Sequence, residues 1–543
     1  MGLDVIDYVR EEFTDRERAV LAPHFTDLDG PVFALVNLPE AVKGALFARY
    51  SRSPKSLRRL FLDEFADQAA SAGEAPAGVG AAHAEELYER IFLEYGDDSV
   101  AQLGGAHLAC EQASQLLAKV LERGRLAAYL EQSTRYVPYD DRPGGRWRYA
   151  TPPEVHTAGL AAEFTSAQDA AFETYARWLE PMQAFYRDRF PRSEDDSDFV
   201  YRMTIRAKAC DTLRGLLPAA TVSNVGIFAT GQSYEQLLLR MRAHPLGEVR
   251  GYADLMLTEL RKVIPAFLRR VDLPDRGGAW SGYLAGRREA LEERAAALLG
   301  PEDPGLDPPP VVTLTDFDPE GELQVVAACL YETSGLADDV LRERARAMSA
   351  DERASVLRAA AGERANRRHR PGRGFERTDY RFDIACDYGA FRDLQRHRPL
   401  TIQWQRLTPA LGHVTPPEIE AAGALGDWTR VMDAGAALSE RLAGAGLPDA
   451  AQYAVPMAYR IRFAIQMNAR EALHLIELRS TPQGHPAYRR VAQEMHRLIA
   501  EVAGHRALAA AMSHTDHSRV DLERLEAERR TDARRRALDA AGT

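Results

Sequence analysis

Apolar positions recur mostly at helical spacing along the chain. In "AEELYERIFLEYG" (84–96), Leu87, Ile91, Phe92 and Tyr95 fall on one helical face. "ASQLLAKVLERG" places Leu116, Leu117, Val120 and Leu121 together, with Gly124 as the candidate C-cap. "IRFAIQMNAREALHLIELR" (461–479) reads as one helix whose apolar face is Ile465, Ala469, Ala472 and Ile476. Asn468 and Arg479 lie on the edge of that face, and Arg470 and His474 form an i, i+4 pair opposite it. Strand candidates are short, such as "GPVFALVNL" and "PPVVTLTDF". The pattern predicts a helix-rich α+β protein.

The proline-rich, acidic stretch "GPEDPGLDPPPVV" (300–312) interrupts this pattern near the middle of the chain. Similar segments lie on either side of it. "VLERGRLAAYL" and "DLQRHRPLTIQ" align Arg123 with Arg396 and Arg125 with Arg398, a spacing of 273. "LRGLLPAAT" and "AQYAVPMAY" align Pro218 with Pro456, a spacing of 238. Their common order predicts a duplication, with about 35 extra residues in the first half between these landmarks. The expected division is a domain over 1–272, a linker over 273–310, a second domain over 311–515 and a charged tail over 516–543.

Composition narrows the function. No apolar run approaches the roughly 18 residues that a spanning helix needs, so no membrane partner is expected. The acidic, amphipathic start is wrong for a signal peptide, and a cytoplasmic location is expected. The formal net charge of −11 argues against a nucleic-acid surface. The four cysteines form no CxxC pair, so buried thiols are expected rather than disulfides, and no metal site is expected. Only five residues are lysine, so an isolated arginine carries little information in this chain.

Four stretches carry candidate chemistry. In "RGRLAAYLEQSTRYVPYDD", Glu131, Ser133 and Arg135 alternate, so an extended backbone would project all three to one side. They could grip a ligand bearing donors and an anion, and a polar loop with a local Glu–Arg pair satisfies the same pattern. In "RDLQRHRPLTIQW", Arg396, His397 and Arg398 precede Pro399. They could clamp a phosphate, or simply complement a helix C-terminus. Asn468 and Arg479, at the edge of an apolar face, need a ligand or a protein network. The basic loop "RRHRPGRGFER" (367–377) is either solvated or steers an anion.

Together these residues resemble the flavin-dependent thymidylate synthase family, whose signature runs from Arg-His-Arg and a Ser to Glu-x-Ser-x-Arg-Tyr. The second half keeps the beginning as Arg396, His397 and Arg398, with Thr401 for the Ser. It has Trp404, Arg406, Thr408 and Pro409 at the Glu, Ser, Arg and Tyr positions. The first half keeps the ending as Glu131, Ser133, Arg135 and Tyr136, but has Gly124 for the His and Ala128 for the Ser. The family's later Asn-Ala-Arg and Leu-Arg motif matches Asn468, Arg470 and Arg479, against Thr230 and Gln232 in the first half. The Arg before a Leu-Pro step survives as Arg214, with Gln452 in its place in the second half.

The resemblance implies two tandem family-like domains, each helix-rich with a small antiparallel sheet and each partly degenerate, the halves retaining complementary parts of one composite site per chain. It implies reductive methylation of dUMP at C5, using methylenetetrahydrofolate, FAD and NADPH, with no enzyme nucleophile. Arg135, Arg214 and Arg396 would hold the phosphate, while Glu131, Ser133 and Arg479 would complete the dUMP site. Arg396, His397, Arg398, Asn468, Arg470 and His474 would face FAD. A homodimer mimicking the family's tetramer is expected. A methyltransferase on another pyrimidine, or a non-catalytic paralogue that binds nucleotide or flavin, are the competing expectations.

Overall fold

The computed structural model describes residues 11–30, 33–50, 53, 55–64, 66, 102–194, 196–300 and 309–518. The helix expected over 84–96 and the tail from residue 519 onward lie outside the described residues.

Each half runs strand, helix, strand, two helices, strand, helix. In the first half these are β1 (Gly105–Ser114), α1 (Gln115–Leu121), β2 (Ala127–Glu131), α2 (Ala161–Arg189), α3 (Asp198–Leu213), β3 (Val222–Thr230) and α4 (Gly231–Arg242). The second half opens with an added strand, β4 (Val312–Phe317), where "PPVVTLTDF" predicts one. The shared order then follows as β5 (Asp379–Asp387), α5 (Tyr388–Leu394), β6 (Thr401–Trp404), α6 (Leu425–Gly444), α7 (Pro448–Ala451), β7 (Arg460–Asn468) and α8 (Ala469–Arg479), with α9 (Pro486–Glu501) after it. The sheets have orders β1-β3-β2 and β4-β5-β7-β6.

Helix caps repeat at the spacings that relate the halves. The Ser114 hydroxyl accepts from Leu117 N–H at 3.0 Å to start α1, and the Asp387 carboxylate accepts from Ala390 N–H at 2.9 Å to start α5. Thr230 caps α4 through Ser233 N–H at 3.3 Å, and Asn468 caps α8 through Glu471 N–H at 2.9 Å. A side-chain acceptor at the N-cap satisfies an amide that the helix itself leaves open. These positions are chemically varied but geometrically equivalent, so the cap survived while the residue type drifted.

Two compact units divide the chain differently from the halves. One takes described residues up to Cys110, Leu126–Leu130 and Val225–Gly300; the other takes Glu111–Arg125, Glu131–Asn224 and the described residues from 309 on. Within the first unit, the buried Tyr234 hydroxyl donates to the carbonyls of Ala106 and Ile227. A helix, Ala279–Leu299, occupies much of the stretch expected to be linker.

Within the second unit the halves meet through a pseudo-twofold exchange of backbone hydrogen bonds. Ala219 N–H donates to Val455 O and Met457 N–H to Leu217 O, both at 2.9 Å. Ala220 N–H donates to Tyr453 O and Ala458 N–H to Gly215 O, both at 3.1 Å. Each bond recurs with the halves exchanged, about the bridge Pro218–Pro456 that sequence alignment pairs. The Tyr388 hydroxyl adds a bond to Gln115 O at 2.9 Å. The first half's extra length lies partly in its helix pair: α2 and α3 have 29 and 16 residues, α6 and α7 only 20 and 4.

Three local expectations are corrected. The stretch 461–479 is not one helix: Ile461, Phe463, Ile465 and Met467 are buried at strand period along β7, and α8 begins only at Ala469. Four apolar side chains at period two outweigh the single helical spacing from Ile465 to Ala469. Helix α1 ends at Leu121 with Glu122 as its C-cap, and Gly124 does not take a left-handed conformation. Among the described residues of "GPVFALVNL" there is only a bridge from Leu35 to Phe25. Cys110, Cys210 and Cys386 are buried and Cys329 partly so, all as free thiols. No helix among the described residues is long and apolar enough to cross a membrane.

Candidate functional site

The second unit gathers charged side chains where the end of β2 meets the end of α5. Glu131, the last residue of β2, has a fully buried side chain from the first half that receives cations from both halves. Arg392 Nη2 donates to Oε1 at 2.8 Å, Lys119 Nζ to Oε2 at 3.0 Å, and Arg396 Nη2 also donates to Oε2. Lys119 is shared with Glu122 at 2.6 Å. Burial alone would raise the Glu131 carboxyl; Arg392, Lys119 and Arg396 outweigh it and hold the group well below the usual carboxylate range.

Arg135 lies in the turn after β2. Its Nε and Nη2 each donate to Asp211 of α3 at 2.7 Å, and its Nη1 donates to the Tyr488 hydroxyl of α9 at 3.1 Å. Arg214, just past α3, is buried and lies 3.8 Å from Asp387 and 3.7 Å from Asp393, and its Nη2 has no hydrogen-bond acceptor among the described residues. Asp393 also accepts from Arg396 Nη1 at 3.4 Å. Burial would raise the Asp393 carboxyl, but Arg396, Arg479, Arg214 and Arg135 bring it down to about 2. Two of the residues expected to bind dUMP, Arg214 and Arg396, thus lie within 4 Å of one aspartate, and Arg135 and Arg479 act on it electrostatically.

Arg479 connects this cluster to a histidine chain. Its Nε–H donates to His397 Nε2 at 3.0 Å, which fixes the His397 proton on Nδ1. His397 Nδ1 lies 2.9 Å from Glu471 Oε1, and His474 Nδ1 lies 3.1 Å from Glu471 Oε2. Burial lowers the His397 imidazole to about 4 despite its bond to Glu471, so it is neutral at physiological pH. Arg479 has no carboxylate within ion-pair distance among the described residues; burial and the neighbouring Arg396 and Arg135 lower its pKa. His397, Glu471 and His474 offer ligand atoms within 4.8 Å of one another, as a metal would require. A cation on His397 Nδ1 would push the ring proton to Nε2, against the Arg479 N–H, so this geometry favours a hydrogen-bonded chain.

The remaining expected site residues stand apart from this network. The Ser133 hydroxyl accepts from Arg135 N–H at 3.3 Å in the turn that follows β2. Asn468 caps α8, and Arg470 donates from Nε to Pro371 O at 2.9 Å and pairs with Glu376 at 3.3 Å. Arg470 therefore grips the basic loop rather than the His397 chain. Arg398 is exposed. Sequence reasoning missed Lys119, Asp211, Asp393, Glu471 and Tyr488. Lys119 alone carried a signal, as one of five lysines in an arginine-rich chain.

The reciprocal position, with the halves exchanged, is built differently. Arg123 packs over the Trp404 ring at 5.1 Å, where Arg396 meets a carboxylate. Arg406 pairs with Asp449 at 2.9 Å, and Gln452, in the place of Arg214, accepts from Leu407 N–H at 3.0 Å. Arg125 donates to Thr401 Oγ1 at 3.0 Å.

Comparison with known proteins agrees with the repeat. The family described as thymidylate synthase complementing protein matches residues 45–266 and again 313–504. The chain belongs to this family. It is 38% identical to a UPF0159 protein of Chlamydia muridarum over 528 residues, covering 96% of this chain and 99% of that protein. A UPF0159 protein of Thermoplasma acidophilum is 33% identical over 518 residues, covering 90% and 97%. A flavin-dependent thymidylate synthase of Clostridium tetani is 27% identical over 181 residues, covering 32% of this chain and 66% of that protein. A solved UMP/dUMP methylase of Streptomyces cacaoi, bound with 5-Br dUMP, aligns with 38% of this chain and 97% of its own at 20% identity and a TM-score of 0.29.

Proposed function

We propose that the chain binds dUMP at one composite site and methylates it reductively at C5. The carbon would come from methylenetetrahydrofolate and the hydride from reduced FAD, itself reduced by NADPH. One observation carries this reading: Glu131 of the first half is hydrogen-bonded to Arg396 of the second, beside Arg135, Arg214 and Arg479. Membership of the family and the flavin-dependent relatives support the reaction class.

The protein's part is positioning and charge stabilisation. Arg135, Arg214 and Arg396 offer donors to a phosphate, and the Arg214 Nη2 lacking an acceptor is one such donor. Arg479 is oriented by His397 and, without a carboxylate partner, is the cation best placed to polarise a base carbonyl. Glu131 fixes Arg396 between the halves. For the flavin, Arg396 lies beside the nucleotide groups and Arg398 is exposed close by in sequence, and these donors fit an anionic cofactor; His397, whose ring nitrogens are taken by Arg479 and Glu471, and His474 would line the same side. Asn468 and Arg470 would serve indirectly, through the α8 cap and the basic loop.

Arg135→Ala and Arg396→Ala each remove a cation while leaving its carboxylate partner, so each is expected to weaken dUMP binding by about 1.5–3 kcal/mol, tenfold or more. Calorimetric titration reads this directly. Unchanged dUMP affinity in both variants would remove the composite site.

A further inference from the structure

The arginine cluster is already neutralised by the protein itself. Arg135 is held bidentately by Asp211, Arg396 by Glu131 and Asp393, and Arg214 faces Asp387 and Asp393. Asp393 differs from the other acids in acting on all of these cations and on Arg479 as well. Glu131 ties the halves together, Asp211 holds a single arginine, and Asp387 spends one oxygen capping α5. Asp393 has no such second structural duty: its oxygens go to Arg396 at 3.4 Å and Arg214 at 3.7 Å. It also sits in the last turn of α5, where the helix carbonyls disfavour a negative charge, so the arginines alone hold it there.

We propose that Asp393 competes with the nucleotide's 5′-phosphate for the arginine cluster, and so determines how strongly the site prefers a nucleoside monophosphate over the bare nucleoside. This rests on the dUMP reading above. A phosphate dianion reaching Arg214 and Arg396 meets the Asp393 charge beside the same guanidiniums. Part of what the phosphate gains from the arginines it loses to that carboxylate. The nucleoside has no phosphate to meet this charge; it feels Asp393 only through Arg479, which, unlike Arg214 and Arg396, is not in ion-pair contact with that acid.

The test compares the wild type with Asp393→Asn, which keeps shape and removes charge, by titrating each with dUMP, deoxyuridine and inorganic phosphate. Asp393→Ser serves if the amide variant does not fold. The expected result is a preference for dUMP over deoxyuridine that rises about tenfold or more, with deoxyuridine affinity nearly unchanged and phosphate binding tightened. A merely structural role would move both pyrimidines together. An unchanged ratio, or weaker dUMP binding in the variant, would overturn the proposal. If neither protein binds either pyrimidine, the dUMP reading fails; tighter phosphate binding in the variant would then still support Asp393 as the competitor, and unaltered phosphate binding would end both.

Discussion

Glu131→Gln is expected to destabilise the protein by about 3–5 kcal/mol, the usual cost of breaking a buried ion pair from one side. The substitution keeps the shape of the side chain and removes only its charge. Lys119 and Arg392, both almost wholly buried, then lose the carboxylate they share. Glu122 and Asp393 remain, but Glu122 reaches only Lys119 closely, and lies 4.0 Å from Arg396. The cost should appear as a lower urea midpoint, because the network joins a strand of the first half to a helix of the second. Its pH dependence has a defined sign. Glu131 has a depressed pKa in the folded state, so its contribution is present above the unfolded carboxyl value of 4.5 and is lost as pH falls towards the folded value. The gap between wild type and variant should therefore narrow below about pH 4.5. A variant as stable as the wild type at neutral pH would mean that Glu122 and Asp393 suffice for the three cations.

Arg364→Met is expected to cost a similar amount, about 3–5 kcal/mol, for the same physical reason at a second place. Arg364 and Glu477 are buried to within 2% and 1% exposure of their side chains. Arg364 donates to Glu477 Oε1 at 2.6 Å and to Ala511 O at 2.9 Å, while Glu477 also accepts from His514 N–H at 3.1 Å. Methionine fills the space but leaves the Glu477 carboxylate without its cation. Glu477 is on α8, two residues before Arg479, so the pair anchors both the C-terminal segment and the helix that carries the site. The double variant with Glu477→Leu, which removes both charges, should recover much of the loss. Equal instability of the double variant would assign the effect to packing.

How much of this was legible in the sequence differed by kind of feature. The duplication could be read because both halves kept short, ordered landmarks; the Pro218–Pro456 alignment even picked out the residues that meet at the pseudo-twofold bridge. The motif remnants Glu131 and Arg396 could be read only through their resemblance to a family signature, since their residue types alone fit an ordinary polar loop and helix end equally well. Their partners could not. Asp211 and Asp393 are ordinary charged residues, and Lys119, though one of only five lysines, names no partner; their meaning arises only when chain segments far apart close on one another, as Lys119 and Gln395 do across 276 positions. Periodicity failed at Ile465 and Ala469, where one spacing fits both a helical face and a strand followed by a helix. For Arg470 the helical wheel set it opposite the apolar face, as for a solvated residue, and there the partly exposed side chain also holds the basic loop.

The paired halves can be tested most directly by counting ligands. Purified protein reconstituted with FAD, its visible flavin band measured against protein concentration, and then titrated with dUMP by calorimetry, gives both stoichiometries. One flavin and one dUMP per chain is the predicted result, since at the reciprocal position Thr408 and Gln452 stand where Arg135 and Arg214 grip an anion, and Trp404 stands where Glu131 fixes an arginine. Two of each per chain, or a colourless protein that takes up neither, would contradict it.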